Sequence, residues 1–270
     1  MSSSNTTSEL PFVSIITPTY NRRNTIRLAL VNFSTFDYPR NKLEWIIIDD
    51  GTDPIKDILP NDERIKYFYF DNNARNKLYK TMTEKLSKLP KRHKKKNGLM
   101  AIHRNGFANN KIPVGMKRNI ACSKANGSVI VHMDDDDYIF PEGLKKLVSA
   151  LDDKHLCTGM CVMPTFDVNN YVSTICEKTM KSYRAFYNCS LCYTKQFWKD
   201  KQFDNQSVKN ESFHFLKQRS YQCKELKDKE IMVKLFHKGN NITNGVMESN
   251  GFHFGEIPEN IFLLMTSFDN

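Results

Sequence analysis

Two nearly continuous apolar segments constrain the fold of this chain more than any other feature. They are FVSIITPTY at 12–20 and LEWIIIDDGTD at 43–53. Both are short, rich in β-branched residues and followed by turn-forming residues, which is typical of strands buried on both faces of a sheet. The segment between them, NRRNTIRLALVNFSTF, spaces its apolar residues as one face of a helix does. Strand, helix and strand in this order predict a right-handed crossover and a parallel sheet.

The rest of the chain continues this alternation. RIKYFYF at 64–70 and SVIVHM at 128–133 predict two more strands, and GMKRNIACSKANGS at 115–128 predicts a helix that Gly127 ends. PEGLKKLVSAL at 141–151 predicts a helix with proline in its first turn. Later elements are expected as strands near 158–166 and 171–177, a strand and a short helix within 186–200, a helix at 210–220 and a strand at 230–241.

The chain shows no internal repeat and no linker. We therefore predict one α/β domain over residues 11–270, with a mostly parallel central sheet flanked by helices, after a disordered polar tail at 1–10. The Lys-rich stretch at 71–112 has no clear period and predicts an insertion or loop, partly helical around 76–88. Because ligands of parallel sheets bind beyond the carboxyl ends of the strands, we expect the functional site there.

The formal net charge of +10 favours an anionic partner, such as a nucleotide, a nucleic acid or an acidic surface. The basic segment KRHKKK at 91–96 lacks the interleaved aromatic residues of single-strand binders, so we expect no nucleic-acid partner and at most peripheral membrane contact. No apolar run approaches the roughly 18 residues of a membrane span. Seven cysteines, an odd number, fit a reducing compartment, and a cytoplasmic location is expected.

Four consecutive carboxylates stand in VHMDDDDYIFP at 131–141, directly after a predicted strand. Adjacent negative charges repel one another, so such a cluster needs something that offsets the repulsion. One interpretation is a solvated acidic turn before a helix, where the helix dipole favours carboxylates. The other rests on the strand-end position, because closely spaced oxygen ligands suit Mg²⁺ or Mn²⁺, which share their coordination with phosphate oxygens. Such a cation would neutralise the charge that builds up on a departing diphosphate.

Three motifs in order, SIITPTYNR, IIIDDGTD and GMKRNIACSKANGSVIVHMDDDDYIFPEGL, together resemble those of family 2 glycosyltransferases with the GT-A fold. The resemblance covers residues 12–150 well and the rest weakly, and the stretch at 71–112 departs from the compact family pattern. It implies a metal-dependent, inverting transferase that moves a sugar from a UDP-sugar to a hydroxyl of a glycan or protein. Residues 11–150 would bind the nucleotide-sugar and 151–270 the acceptor. The composition, rich in Asn, Lys and Ile, is similar to that of glycosyltransferases of large DNA viruses, which would act in the host cytoplasm or the virion.

The resemblance places the nucleotide base at the first two strand ends. Pro18, Thr19 and Tyr20 would form the lip and stacking face of the base pocket, and an aromatic face suits a nucleobase. Asp50 would accept the N3–H of uracil, whereas Asp49 would instead bond the turn. Uracil is therefore the expected base.

Within the aspartate run, the YIFP segment that follows aligns the family's D-x-D pattern with residues 134–136. Asp136 would bind Mn²⁺ or Mg²⁺, and Asp134 and Asp135 would hold the ribose or the water shell of the metal. Asp137 is expected to cap the following turn. His237 in VKLFHKGNN is implied as a further metal ligand, since imidazole suits Mn²⁺ better than Mg²⁺.

Two further roles follow from the resemblance. Arg118 in the KRN segment would meet the donor diphosphate or the base pocket, because arginine pairs well with phosphate, and Lys117 is not expected to point inward. An inverting transferase needs a general base that takes a proton from the acceptor hydroxyl. In the family this base is the Asp of a Glu-Asp pair at the start of a helix. In VKNESFHFL the base would be Glu211, although Ser212 stands where that Asp is expected.

Several alternatives stay open at this stage. His253 in GFHFG is a rival metal ligand, and Trp198 belongs either near the acceptor or, as is commoner, in the core. Two close cysteine pairs, Cys157 with Cys161 and Cys189 with Cys192, would allow a zinc site. Buried free thiols are the more frequent outcome for such cysteines. A nucleotidyltransferase should carry a Gly-rich loop after its first strand, and TPTYNRR has no glycine. The serine at 212 keeps a catalytically inactive sugar-nucleotide-binding or glycan-binding protein as the main alternative.

Overall fold

The computed structural model describes residues 9–88, 111–177, 186–208, 211–237 and 257–267. Its strands are β1 Val13–Thr19, β2 Leu43–Asp49, β3 Ile65–Tyr69, β4 Val129–His132, β5 Tyr138–Ile139, β6 Cys157–Gly159, β7 Val162–Asp167, β8 Val172–Glu177, β9 Cys192–Thr194, β10 Cys223–Glu225 and β11 Met232–Phe236. Its helices are α1 Ile26–Thr35, α2 Asn72–Ser87, α3 Val114–Lys124, α4 Gly143–Ser149, α5 Lys195–Asp200, α6 Glu211–Leu216 and α7 Glu259–Thr266.

The main sheet has seven strands in the order β10-β6-β9-β4-β1-β2-β3, and it is mostly parallel as predicted. Among the described strands of this sheet, only β9 runs antiparallel to its neighbours. Ile15 and Ile47 join the core on the face that carries α1, whereas Ile16 and Ile46 join the core on the face that carries α3. This burial on both faces is the physical reason why β1 and β2 are continuous apolar runs.

A second sheet of four strands, in the order β5-β11-β7-β8, was not predicted. The segment expected as one strand near 158–166 is divided, because β6 pairs within the main sheet and β7 within the second. Gly159 stands at this division, where a Cβ atom would lie 2.6 Å from the ring of Phe186. The chain therefore changes sheets at a point where only glycine fits without displacing a buried aromatic ring.

Two predicted helices differ from the observed ones at their ends. Helix α3 ends at Lys124 with Ala125 as its C-cap, so Gly127 lies beyond the helix and does not end it. The N–H of Gly127 donates to Ser14 Oγ at 2.7 Å, and a Cβ atom there would lie 2.6 Å from Ser14 N. This glycine thus brings the start of β4 against β1. Helix α2 begins at Asn72, earlier than predicted, while the KRHKKK segment lies outside the described residues.

Trp198 lies in the core, where its side chain is 6% exposed and its indole N–H donates to a buried asparagine at 2.9 Å. The interpretation of Trp198 as a core residue is confirmed. Cys157, Cys161, Cys189 and Cys192 all lie within the described residues, and no three of their sulfur atoms come together as metal ligands, so the two pairs do not form one zinc site. Across the ranges described above, no helix combines the length and apolar character that a membrane crossing requires.

Candidate active site

The carboxyl ends of three neighbouring parallel strands meet at one edge of the main sheet. The register pairs Thr19 at the end of β1 with Asp49 at the end of β2, and Ile16 with His132 near the end of β4. The PTYN and DDG segments span the ends of β1 and β2, and the DDDD segment begins two residues after β4. The sheet therefore brings together three of the motifs that the sequence separates by dozens of residues.

The predicted base pocket is built around Asp50, which is fully buried. One carboxylate oxygen accepts a hydrogen bond from Lys117 Nζ at 2.7 Å, and the other accepts from the N–H of Ile112 at 2.5 Å. Lys117 Nζ also donates to the carbonyl oxygen of Thr19 at 2.9 Å. The expectation that Lys117 points outward is therefore wrong, because a buried carboxylate requires a nearby cation and α3 presents this one.

Pro18, Thr19 and Tyr20, the predicted lip of the base pocket, lie at the end of β1, where the Thr19 carbonyl oxygen accepts from Lys117. Pro18 and Tyr20 are half-buried and Thr19 is buried. The ammonium of Lys111 lies 3.8 Å from the centre of the Tyr20 ring, and that of Lys117 lies 6.0 Å away. The Tyr20 ring, which would stack on a nucleobase, thus has the Lys111 ammonium on its face. Such a cation–π contact is weak where water has access.

Asp49 has the structural role that was expected of it. Its Oδ1 accepts from the N–H of Gly51 at 2.8 Å, and its Oδ2 accepts from the hydroxyl of Tyr67 at 2.7 Å. Both bonds fix the turn that follows β2. Asp50, the next residue, is thereby turned toward Lys117 on α3.

Every carboxylate of the four-aspartate run has a cation as a neighbour. Asp134 accepts from Arg118 Nη2 at 3.0 Å. Asp135 and Asp136 lie 4.0 and 3.8 Å from the guanidinium of Arg22. Asp137 Oδ1 lies 3.8 Å from Lys234 Nζ, and Asp136 Oδ2 lies 3.4 Å from the imidazole Nε2 of His237. The protein itself therefore offsets part of the repulsion within the run.

Asp137 does not cap the following turn as predicted. Its Oδ1 accepts from the N–H of Leu235 at 3.2 Å, so the side chain joins the turn before β5 to strand β11. The difference arises because β5 pairs antiparallel with β11, which brings that strand against the aspartate run. Lys234 on the same strand supplies the positive charge.

Burial and the neighbouring charges give the aspartates of the run different pKa values. Burial, together with the neighbouring Asp136, raises the pKa of Asp135 to about 7, and burial raises that of Asp137 to about 6. Burial also opposes ionisation of Asp136, but the hydrogen bond from His237 and the charges of Lys234 and Arg22 outweigh it and lower its pKa to about 2. Asp136 is therefore the buried carboxylate of the run that the surrounding charges keep ionised most strongly.

A buried hydrogen-bond network links the aspartate run to Glu211, the predicted general base. Arg118, only 2% exposed, donates from Nε to Glu211 Oε1 at 2.9 Å in addition to its bond with Asp134. Glu211 Oε2 accepts from Asn188 Nδ2 at 2.8 Å. Ser212 lies behind this network, with its N–H on Asn188 Oδ1 and its hydroxyl on a backbone carbonyl oxygen, each at 3.0 Å. Arg118, expected at the diphosphate, is thus held between two carboxylates, and Glu211 is engaged through both oxygens.

Three residues of this site were not identified from the sequence. Arg22 lies three residues after the end of β1, so its position in the PTYNRR segment was a usable signal. No sequence signal pointed to Lys234 or Asn188, because the second sheet and the turn before β9 bring them to the site from distant parts of the chain. His253, the rival metal ligand, lies outside the described residues.

The possible metal-ligand atoms at this edge of the sheet are spaced as a divalent cation requires. Ligand atoms about 2.1 Å from one ion at right angles lie about 3 Å apart, close to the 3.4 Å between Asp136 Oδ2 and His237 Nε2. Ligand atoms of Asp134, Asp137 and Cys189 also lie within 4.8 Å of one another. When all are ionised, the four aspartates and Glu211 face the described cations Arg22, Arg118 and Lys234, which leaves two negative charges. Carboxylates with one imidazole suit Mn²⁺.

The sheet and the helices around it have the GT-A fold seen in solved glycosyltransferases. The family model described as glycosyl transferase family 2 matches residues 14–86 and 108–216, which is more than half of the chain. The chain belongs to glycosyl transferase family 2. The α/β fold inferred from its motifs is confirmed.

One characterised relative is the poly(ribitol-phosphate) beta-N-acetylglucosaminyltransferase TarS of Staphylococcus aureus strain Mu50, which is 29% identical over 143 residues. The match covers 53% of this chain and 19% of TarS, so it spans about a fifth of the length of that relative.

Two solved structures align with most of this chain. S. aureus TarS 1-349 in complex with UDP-GlcNAc gives a TM-score of 0.56 at 17% identity and covers 87% of this chain and 61% of that one. The mannosyltransferase PcManGT from Pyrobaculum calidifontis in complex with GDP-Man and Mn²⁺ gives a TM-score of 0.56 at 15% identity and covers 97% and 70%. At such identities these likenesses show a shared fold.

Proposed function

We propose that this chain is a metal-dependent, inverting glycosyltransferase that moves a sugar from a UDP-sugar to a hydroxyl of a glycan or protein acceptor. The observation that carries the proposal is the convergence of two features at one sheet edge. Tyr20 and Asp50 offer an aromatic face and a buried carboxylate, and the aspartate run beside them, together with Glu211, retains two negative charges when all five carboxylates are ionised and three cations are counted. The relatives described above, solved with UDP-GlcNAc and with GDP-Man and Mn²⁺, support a nucleotide-sugar donor.

The donor base would lie on Tyr20 after Lys111 leaves the ring, with Pro18 and Thr19 at the lip. Asp50 would accept the N3–H of uracil, since a carboxylate has lone pairs beyond the two that Lys117 and Ile112 occupy. A carboxylate at this position selects a base with a ring N–H and disfavours cytosine, whose ring nitrogen presents a lone pair. These contacts support a base with a ring N–H, and we propose that this base is uracil.

We assign the metal to Asp136 and His237, with Asp134 and Asp135 holding the ribose or the water shell of the ion. When bound, Mn²⁺ or Mg²⁺ would stabilise the negative charge on the departing UDP. The low pKa of Asp136 supports its assignment, because a ligand must be ionised to hold the metal at neutral pH.

We assign Glu211 as the general base that takes the proton from the acceptor hydroxyl. It lies at the start of α6 and is fixed by Arg118 and Asn188. Ser212 cannot replace it, because its hydroxyl is turned toward a backbone carbonyl oxygen. We further propose that residues 11–150 bind the donor and 151–270 the acceptor. The seven cysteines, all free thiols, support a reducing compartment such as the cytoplasm. For a viral chain, this would be the host cytoplasm or the virion.

A catalytically inactive sugar-nucleotide-binding or glycan-binding protein is the alternative that a specific observation favours. Both carboxylate oxygens of Glu211 are engaged by neighbouring side chains, and the next residue is not acidic. Such a protein would bind UDP with metal and release none from a UDP-sugar.

A panel of donors tests the proposal directly. UDP-glucose, UDP-galactose, UDP-GlcNAc and GDP-mannose are incubated with the protein and a mixture of glycan acceptors, in Mn²⁺, Mg²⁺ or EDTA. We expect UDP release from one UDP-sugar with Mn²⁺ and none in EDTA. Release that persists in EDTA would contradict the metal, and release of GDP alone would contradict the choice of base. Metal-dependent UDP binding without turnover would favour the inactive alternative.

Replacing Glu211 with glutamine should lower transfer to the acceptor by about 100-fold to 10,000-fold, since the amide cannot accept the proton. The binding of UDP with Mn²⁺ should change far less than transfer does, because Glu211 bonds Arg118 and Asn188 and is linked to the aspartate run only through Arg118. The matched control is Glu142→Gln, which changes an exposed glutamate before α4. Unaltered transfer by the Glu211 variant would remove this residue from the role of base.

A further inference from the structure

Arg22 holds an unusual position over the aspartate run. Its Nε lies 4.0 Å from Asp135 Oδ1 and its Nη2 lies 3.8 Å from Asp136 Oδ2, with 15% of the side chain exposed. Hydrogen-bonded guanidinium–carboxylate pairs are about 2.8 Å apart, so these contacts lack the close geometry of a bidentate pair. Charge attraction holds the guanidinium near two carboxylates without fixing it to either.

The local backbone explains why Arg22 points to this place. Asn21 adopts a left-handed conformation with φ of 53°, and its Oδ1 accepts from the N–H of Thr52 at 2.6 Å and of Asp53 at 3.2 Å. The turn after β1 is thereby fixed against the loop after β2. Arg22 leaves this turn toward the aspartate run.

The neighbouring Arg23 shows what a tightly held arginine looks like in the same turn. Its guanidinium bonds Asp53 at 3.0–3.2 Å and Asp57 at 2.9–3.0 Å, and it also donates to a backbone carbonyl oxygen. Two consecutive arginines thus differ sharply, since Arg23 is locked into a loop and Arg22 is loosely held by the site. Arg23 also supplies a matched control.

We propose that Arg22 is an exchangeable counter-cation, displaced from Asp135 and Asp136 when a divalent cation binds and then free to bind the donor diphosphate. The proposal rests on the proposed function and names a substrate-binding residue for it. A guanidinium and a divalent cation compete for the same carboxylate oxygens, because each neutralises the same charge. Once released, arginine matches phosphate oxygens through two parallel N–H groups, which a hydrated lysine does not.

The exchange makes two predictions of opposite sign for Arg22→Met. Without nucleotide, the variant should bind Mn²⁺ several-fold more tightly than the wild type, because no side chain competes with the ion. In saturating Mn²⁺ it should bind UDP about tenfold more weakly, the effect expected from losing a charged hydrogen-bond donor to phosphate. Free Mn²⁺ is measured by electron paramagnetic resonance and UDP binding by calorimetry, neither of which requires turnover.

Three comparisons make the experiment decisive. Arg23→Met should leave both affinities unchanged, and Arg22→Lys should retain the competition with Mn²⁺ while binding UDP less tightly than the wild type. Weaker or unchanged Mn²⁺ binding by a folded Arg22→Met protein would overturn the exchange, since the arginine would then order the carboxylates or be irrelevant to them. A wild type that binds neither Mn²⁺ nor UDP would overturn the proposed function together with this inference. Normal wild-type binding with unchanged variants would overturn the inference alone.

Discussion

Replacing Asp136 with asparagine is expected to reduce Mn²⁺-dependent UDP release by about 100-fold to 1,000-fold, the usual cost of removing a group that stabilises transition-state charge. Asp136 is buried, keeps a pKa of about 2 and lies 3.4 Å from His237, its proposed partner in holding the metal. Asparagine has nearly the same shape but no charge, so it should bind the cation poorly. The folded state should become less stable at neutral pH, because the lowered pKa shows that the ionised carboxylate is favoured there by His237, Lys234 and Arg22.

The measurements are UDP release from the active donor and Mn²⁺ affinity, each with the unfolding midpoint of the variant. Asp153→Asn is the matched control, since it removes the charge of an exposed aspartate outside the site. Full activity with normal Mn²⁺ affinity in Asp136→Asn would contradict the metal assignment. Lost activity with normal Mn²⁺ affinity would move the ligand role to the other donor group, Asp134, Asp137 and Cys189.

Replacing Arg118 with methionine is expected to lower the free energy of unfolding by about 3–5 kcal/mol, the range for removing one partner of a buried ion pair. Arg118 is 2% exposed and bonds both Glu211 and Asp134. Glu211 is equally buried and would be left without its cation, while Asp134 is partly open to solvent. Most of the loss should therefore come from Glu211.

Urea unfolding measures this loss. Arg27→Met, which changes an exposed arginine on α1, should leave the midpoint unchanged. Adding Glu211→Leu to Arg118→Met should restore part of the stability, because a buried pair replaced by apolar groups of similar volume is often neutral. If Arg118→Met unfolds at the wild-type midpoint, the network is not holding the start of α6 against the aspartate run.

The positions of several site residues could be predicted from the sequence because local pattern determines them. The apolar runs of β1 and β2 are buried on both faces, which required a parallel sheet, and a parallel sheet places Tyr20, Asp50 and the aspartate run at one edge. The structure also brings His237 to Asp136, as proposed from a motif, across a separation of 101 residues.

The partners of the charged side chains were decided only by the tertiary structure. Arg118 and Glu211 are 93 residues apart, and Lys117 and Asp50 are 67 apart, so nothing in either neighbourhood specifies the pairing. A charged side chain on a helix can turn toward solvent or into the core, and what decides is whether a buried opposite charge awaits it. The sequence by itself therefore determined the sheet and the edge where the carboxylates gather. Which cation neutralises which carboxylate depended on the packing of α3, α6 and the second sheet around that edge, because electrostatic pairing acts over a few ångströms between elements that only the complete fold brings together.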